Sequence, residues 1–132
     1  FGYMWLSHRP KEAMFNKVGL VISTAAGVGA SKVTKSLSQQ LFWIGVAKVF
    51  RYNKNVNASN WEEVPSKIKE SIEKETTALS KRLEDNLGKA RPDIRLKFIF
   101  NIMGMMQKSN TWNMTDRNYW KDKGWLNGKR PW

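Results

Sequence analysis

Between Lys17 and Ser23 the chain runs Val18-Gly19-Leu20-Val21-Ile22 with no polar position, so the alternation of a half-solvated strand is missing. A short continuous run of this kind predicts a strand buried on both faces, as in a parallel sheet covered by helices. Ala25-Ala26-Gly27-Val28-Gly29-Ala30-Ser31 follows as a small-residue loop. Val33, Leu37, Leu41 and Ile44 then recur at helical spacing, and Gly45 stands where a helix-ending glycine belongs. Val46-Ala47-Lys48-Val49-Phe50-Arg51-Tyr52 predicts a second strand. Strand, loop, helix and strand in succession predict a βαβ crossover.

Upstream, residues 1–14 are mixed, and Pro10 disfavours helix at Arg9, so Phe1 and its neighbours read as the tail of a helix running into a loop. Downstream, residues 53–60 form an Asn-rich loop in which Asn60 and Glu63 resemble a capping box. A long amphipathic helix should follow, with Val64, Ile68, Ile72, Thr76, Leu79 and Leu83 on one face. Its other face is mixed in charge and includes Glu70 and Lys74 at the favourable i,i+4 spacing. This helix is expected to cover one face of the sheet.

After a break at residues 88–92, the segment from Ile94 to Gln107 is apolar nearly all round: Leu96, Phe98, Ile99, Phe100, Ile102, Met103, Met105 and Met106. Such a helix must be buried on every side, either as a core helix or in a subunit interface. In the tail, Trp112, Trp120, Trp125 and Trp132 interleave with Lys and Arg, and Thr115 is placed to cap a short helix that ends near Gly124. Basic residues among aromatics suit stacking on single-stranded nucleic acid. The commoner use of such a tail is to wrap its own domain and anchor itself with Trp.

Charge sharpens this picture only in part. The net charge is +12, with +7 on residues 1–55, −2 on residues 56–85 and +7 on residues 86–132. Such a charge favours anionic ligands through long-range attraction but selects none. Positive residues split between the two ends, without a reading motif, predict no specific nucleic-acid partner. There is no cysteine, which excludes disulfides, thiolate metal sites and cysteine nucleophiles. No apolar run approaches the roughly 20 residues that span a bilayer, so a soluble, cytoplasmic chain without membrane contact is expected. The chain opens at Phe1 without an initiator Met or signal-peptide pattern, which reads as a start processed or cut from a longer protein.

Candidate chemistry is sparse. Ligands of an open parallel sheet bind beyond the carboxyl ends of its strands, here near Ser23 to Ser31 and Arg51 to Asn55. Gly27 and Gly29 allow close backbone approach, and a helix N-terminus presents free N–H groups. The dinucleotide fingerprint is incomplete, because Lys32 stands where its third glycine belongs, and the phosphate-loop pattern is absent. His8 is the only histidine and reads as a surface or loop residue, so a site built on several imidazoles is excluded. The carboxylates cluster on the long helix as salt pairing. A redox cofactor, which brings its own chemistry, needs little beyond a shaped pocket.

The string Phe15-Asn16-Lys17-Val18-Gly19-Leu20-Val21-Ile22-Ser23-Thr24-Ala25-Ala26-Gly27-Val28-Gly29, with Leu41-Phe42-Trp43-Ile44-Gly45-Val46-Ala47-Lys48-Val49, resembles the flavodoxin-like NAD(P)H-dependent FMN reductases, in particular the group related to iron–sulfur flavoproteins. The likeness extends through Tyr119-Trp120-Lys121 and Gly124-Trp125 to Lys129-Arg130-Pro131-Trp132. It implies an α/β fold: the C-terminal part of a flavodoxin-like doubly wound parallel sheet, with extra C-terminal helices and a Trp-rich tail. Residues 1–60 are then the βαβ part, and residues 61–132 the covering helix, apolar helix and tail of the same domain. It implies FMN as cofactor, bound through Thr24, Ala25, Ala26, Gly27, Val28 and Gly29, with NAD(P)H as co-substrate. The family's first three strands and its FMN phosphate loop have no counterpart, so activity is expected of the complete protein and not of this chain alone. Self-association is expected through the segment from Ile94 to Gln107 and the tail. The alternative is a non-enzymatic basic α/β module that binds a partner protein or nucleic acid through its Trp-rich tail.

Overall fold

The computed structural model describes residues 2–132, so Phe1 and its part in the expected helix tail lie outside the described residues. Two parallel strands, β1 (Val18–Ala25) and β2 (Lys48–Asn55), pair in register from Val18 opposite Lys48 to Ala25 opposite Asn55. Helix α1 (Ala30–Trp43) makes the crossover between them. Gly45 ends this unit with φ 91°, the left-handed conformation expected there. A Cβ at Gly45 would stand 3.1 Å from the Phe15 ring, so the site is closed to larger residues by both backbone and space.

β1 is not buried on both faces as its composition predicts. α1 covers the side carrying Gly19 and Val21, where a Cβ on Gly19 would meet Leu41 at 2.9 Å. On the opposite side Leu20 and Ile22 remain exposed, Ile22 by 57%. Val33 and Leu37, on the same helical stripe as Leu41, are also exposed. The cause is the width of the sheet: two strands give α1 too little to rest on, and among the described residues β1 has no neighbour beyond its outer edge. A parallel sheet with an apolar, open edge is normally covered.

Helix α2 (Ser66–Glu84) begins later than the capping pattern suggests. Asn60 and Glu63 do pair, through Nδ2 to Oε1 at 2.8 Å and through the Glu63 N–H to Asn60 Oδ1 at 3.2 Å. They close a turn, and Pro65 stands at the N-cap, where its missing N–H costs nothing. The expected face, Ile68, Ile72, Thr76, Leu79 and Leu83, is half-buried throughout. α2 lies against the β2 face that carries Phe50, Tyr52 and Lys54. Arg82 stands 5.1 Å over the Phe50 ring, and Tyr52 and Lys54 both bond Glu75. The helix's firmest ionic tie is therefore Lys54–Glu75 at 2.8 Å, and among the described residues Glu70 and Lys74 form no ion pair.

Helices α3 (Ile94–Ser109) and α4 (Met114–Asp122) complete the fold. Asp93 caps α3 by accepting from the Leu96 N–H at 2.7 Å. Asn113, not Thr115, caps α4, because its side chain reaches the Asp116 N–H while Thr115 is already inside the helix. Gly124, with φ 72°, lies just beyond the C-terminus as expected.

The core joins Leu6 and Phe15 to Leu96, Phe100, Trp120 and Trp125. The Phe100 ring centroid lies 4.7 Å from that of Trp120, 5.3 Å from Trp125, 5.2 Å from Trp132 and 5.4 Å from Phe15. Such aromatic pairs add about 0.5–1.5 kcal/mol each beyond their buried area. The expected all-round burial of α3 is corrected: Leu96 and Phe100 enter the core, whereas Ile94, Phe98, Met105 and Met106 face outward. Gly2–Met4 and Glu12–Asn16 form short 3-10 turns with a loop between them, rather than a helix tail. Side chains of α3 and α4 hold their backbone: Gln107 Nε2 donates to Ser7 O, Trp120 Nε1 to His8 O and the Tyr119 hydroxyl to Pro10 O. Among the described residues no helix is long and apolar enough to cross a membrane.

Candidate functional site

The loop that follows β1 is the first site. Thr24 and Ala25 close the strand opposite Lys54 and Asn55, and the Val56 N–H donates to Ala25 O at 2.8 Å, which fixes the loop's entry. Ala26, Gly27 and Val28 turn outward, and Val28 is 91% exposed. Gly29 adopts φ 108° and stands at the N-cap of α1, where no side chain accepts from the helix N–H groups. Those donors point outward, beyond the carboxyl end of the sheet. The first turn of α1 is held from behind by the buried Thr34, whose hydroxyl donates to Ser31 O at 3.1 Å.

The two glycines differ in kind. Gly29 answers to its backbone, since a side chain at φ 108° is strained. Gly27 does not have a positive φ, and a Cβ added there meets nothing within 4 Å. The fold itself does not require glycine at position 27. The six predicted residues are contiguous but not alike: Thr24 and Ala25 end β1, Ala26, Gly27 and Val28 form an exposed bend, and Gly29 caps α1. Of their side chains only the Thr24 hydroxyl is polar, so the loop offers mainly backbone groups and small apolar surfaces.

In the second half of β2 a polar cluster joins the strand to α2. Lys54 Nζ contacts Ser71 Oγ at 2.7 Å and Glu75 Oε1 at 2.8 Å, and the Tyr52 hydroxyl donates to Glu75 Oε2 at 3.1 Å. Hydrogen bonds from Lys54 and Ser71 hold the Glu75 carboxyl below the usual range. Burial, followed by the adjacent Glu75 carboxylate, pushes the Tyr52 phenol up to about 12.

A second constellation was not visible in the sequence. Asp116, 1% exposed, lies between His8 Nδ1 at 2.6 Å and Arg9 Nε at 3.1 Å, and also accepts from Asn113 Nδ2 at 2.9 Å. The Arg9 contact is an ion pair without hydrogen-bond alignment. His8 lies in a loop, as expected, but is half-buried there and ties that loop to α4. The separation of 108 positions gives no local signal. Among the described residues no three His, Cys, Asp or Glu side chains cluster so as to hold a metal ion.

No family model, curated protein or solved structure matches this chain.

Proposed function

We propose that the chain is the C-terminal portion of an FMN-dependent NAD(P)H oxidoreductase with a flavodoxin-like sheet, acting in flavin- or quinone-type electron transfer. The observation that carries this reading is the loop of residues 24–29. It follows a parallel strand, opens a helix and contains, at Gly27, a glycine that the chain's own packing does not require. A flat ligand approaching the backbone accounts for that residue. The exposed edge of β1, flanked by Leu20 and Ile22 on one face and Val33 and Leu37 on the other, supports a sheet that continues into further strands.

Bound FMN would supply the hydride chemistry, accepting a hydride from the nicotinamide. Residues 24–29 fit the edge of a planar ring, against which Ala25, Ala26, Gly27 and Gly29 raise no bulky side chain. They lack the cations that a phosphate calls for, so the phosphate grip falls outside this loop. Of the four tail tryptophans the alternative module retains Trp112, 80% exposed, as an open stacking surface, because Trp120 and Trp125 are buried and Trp132 packs on the core.

In the complete protein, Gly27→Val should lower FMN affinity at least roughly tenfold, about 1.4 kcal/mol, with an unchanged circular dichroism spectrum. The isolated chain should bind FMN on the order of a thousandfold more weakly than the complete protein, since two or three charge-assisted phosphate bonds of about 1.5–3 kcal/mol each are missing. Flavin fluorescence quenching measures both. Unchanged affinity in a folded Gly27→Val protein would mean that the loop does not touch the cofactor.

A further inference from the structure

A second binding surface lies away from the glycine loop. It is a groove of about 390 Å³ between the C-terminal half of α1, the first half of β2 and the entry to α3. Because the strands are parallel, a groove that begins at Lys48 lies toward the amino-terminal end of the sheet. The loop of residues 24–29 lies beyond the carboxyl end. The volume falls within the ~300–1,000 Å³ typical of small-ligand sites.

Its chemistry is one-sided. Lys48, Arg51, Arg91 and Arg95 line the groove, and among the described residues none of them forms an ion pair. Asp93 is its only carboxylate, and that group is committed to capping α3 through the Leu96 N–H. Two of the cations are held in place by contacts that leave their charge unneutralised: Arg91 Nη1 donates to Ala90 O at 3.0 Å, and the Arg95 guanidinium lies 4.5 Å over the Phe42 ring. The Lys48 ammonium turns to the other face of β2, where it donates to Asn86 Oδ1 at 2.9 Å and stands 5.5 Å over the Phe50 ring. Holding like charges around one groove is unfavourable until an anion enters. The floor supplies apolar surface from Phe42, Val46 and Val49.

We propose that this groove binds a phosphate-bearing small molecule with at least two negative charges, its phosphoryl groups held by Arg51 and Arg91. Guanidinium forks match phosphoryl oxygens two at a time, and a surplus of two positive charges, three arginines against Asp93, calls for a multivalent anion. The Phe42 and Val49 surface adds a place for an apolar or aromatic part of the ligand. The proposal does not depend on the flavin reading, since the two surfaces share no residue.

The test is calorimetric titration of the full chain at physiological salt with pyrophosphate, ADP, adenosine and citrate. Pyrophosphate and ADP should bind, and adenosine alone should not. Tighter binding of ADP than of pyrophosphate would assign the apolar floor to a nucleoside, and equal binding would assign the site to the diphosphate alone. Arg51→Gln and Arg91→Gln should each weaken pyrophosphate binding by roughly tenfold, about 1.4 kcal/mol. The double variant Lys67→Gln/Lys74→Gln, which removes two charges from the exposed side of α2, should leave binding within about twofold, a free-energy change of ~0.4 kcal/mol by the same scale. Absence of pyrophosphate binding, equal binding of citrate, or equal loss in the α2 variant would overturn the proposal. The last two outcomes would show diffuse charge rather than a site.

Discussion

Asp116 shows how much one buried charge can hold. Its carboxylate is inaccessible to water, and its charge is met by His8, Arg9 and Asn113. Removing one partner of a buried ion pair typically costs about 3–5 kcal/mol, because the groups left behind lose their compensation. Here His8 and Arg9 are each 33% exposed and regain some water, so Asp116→Ala should destabilise the chain by about 3 kcal/mol, the low end of that range. Urea unfolding followed by Trp fluorescence measures the change. A loss below about 1 kcal/mol, the value of an exposed pair, would show that the cluster is only a surface contact. His8 and Asp116 were illegible in the sequence for a plain reason: each is an ordinary polar residue with no periodic or local partner.

Elements were legible where their cause is local. The β1–α1–β2 crossover follows from a run of apolar residues, a small-residue loop and Gly45, but its second strand runs from Lys48 to Asn55 rather than from Val46 to Tyr52, taking up the first three residues of the expected Asn-rich loop. The loop of residues 24–29 was legible for the same reason, because its glycines interrupt the pattern. Burial was less legible: the composition of Leu20 and Ile22 records what a strand can pack against, and their exposure records what this chain lacks. The partner of α2 was likewise hidden. Its link to β2 passes through Tyr52, Lys54 and Glu75, 21 to 23 residues apart. This link predicts an alkaline transition. The Tyr52 phenol is raised from 10.0 to about 12 by burial and by Glu75. Its protonated form therefore favours the fold, fully so below pH 10, and this contribution is lost as the pH rises from 10 to 12. Absorbance at 295 nm should show a late-ionising tyrosine that disappears in Tyr52→Phe. A variant that loses amplitude only near pH 10, with the late phase undiminished, would exclude the link. At the acid end Glu75 has the opposite sign: its lowered carboxyl stabilises the fold above the ordinary carboxylate range and ceases to as the pH falls through its folded value.

Two opposing forces act on the molecule as a whole. Ile94, Phe98, Met105 and Met106 form an outward apolar face on α3, with Trp112 and Met114 beyond its end. The core beneath is already filled by Leu96, Phe100 and the tail tryptophans, so this face has no further partner within the described residues. A net charge of +12 keeps copies apart. Fully burying one Phe or Met side chain contributes about 1.5–3 kcal/mol. A contact that buries Phe98 and Met105 on each of two copies can therefore outweigh that repulsion, the more so once salt screens it. The chain should self-associate at micromolar concentration in sedimentation velocity, and more strongly at 0.5 M salt than at 0.05 M. Phe98→Lys with Met105→Lys should move the association midpoint at least roughly tenfold higher, about 1.4 kcal/mol. Ile22→Lys, at the open edge of β1, separates the two apolar surfaces. If that change alone abolishes association, the copies meet along the sheet rather than along α3. A monomer at every concentration and both salts would show that neither surface draws copies together.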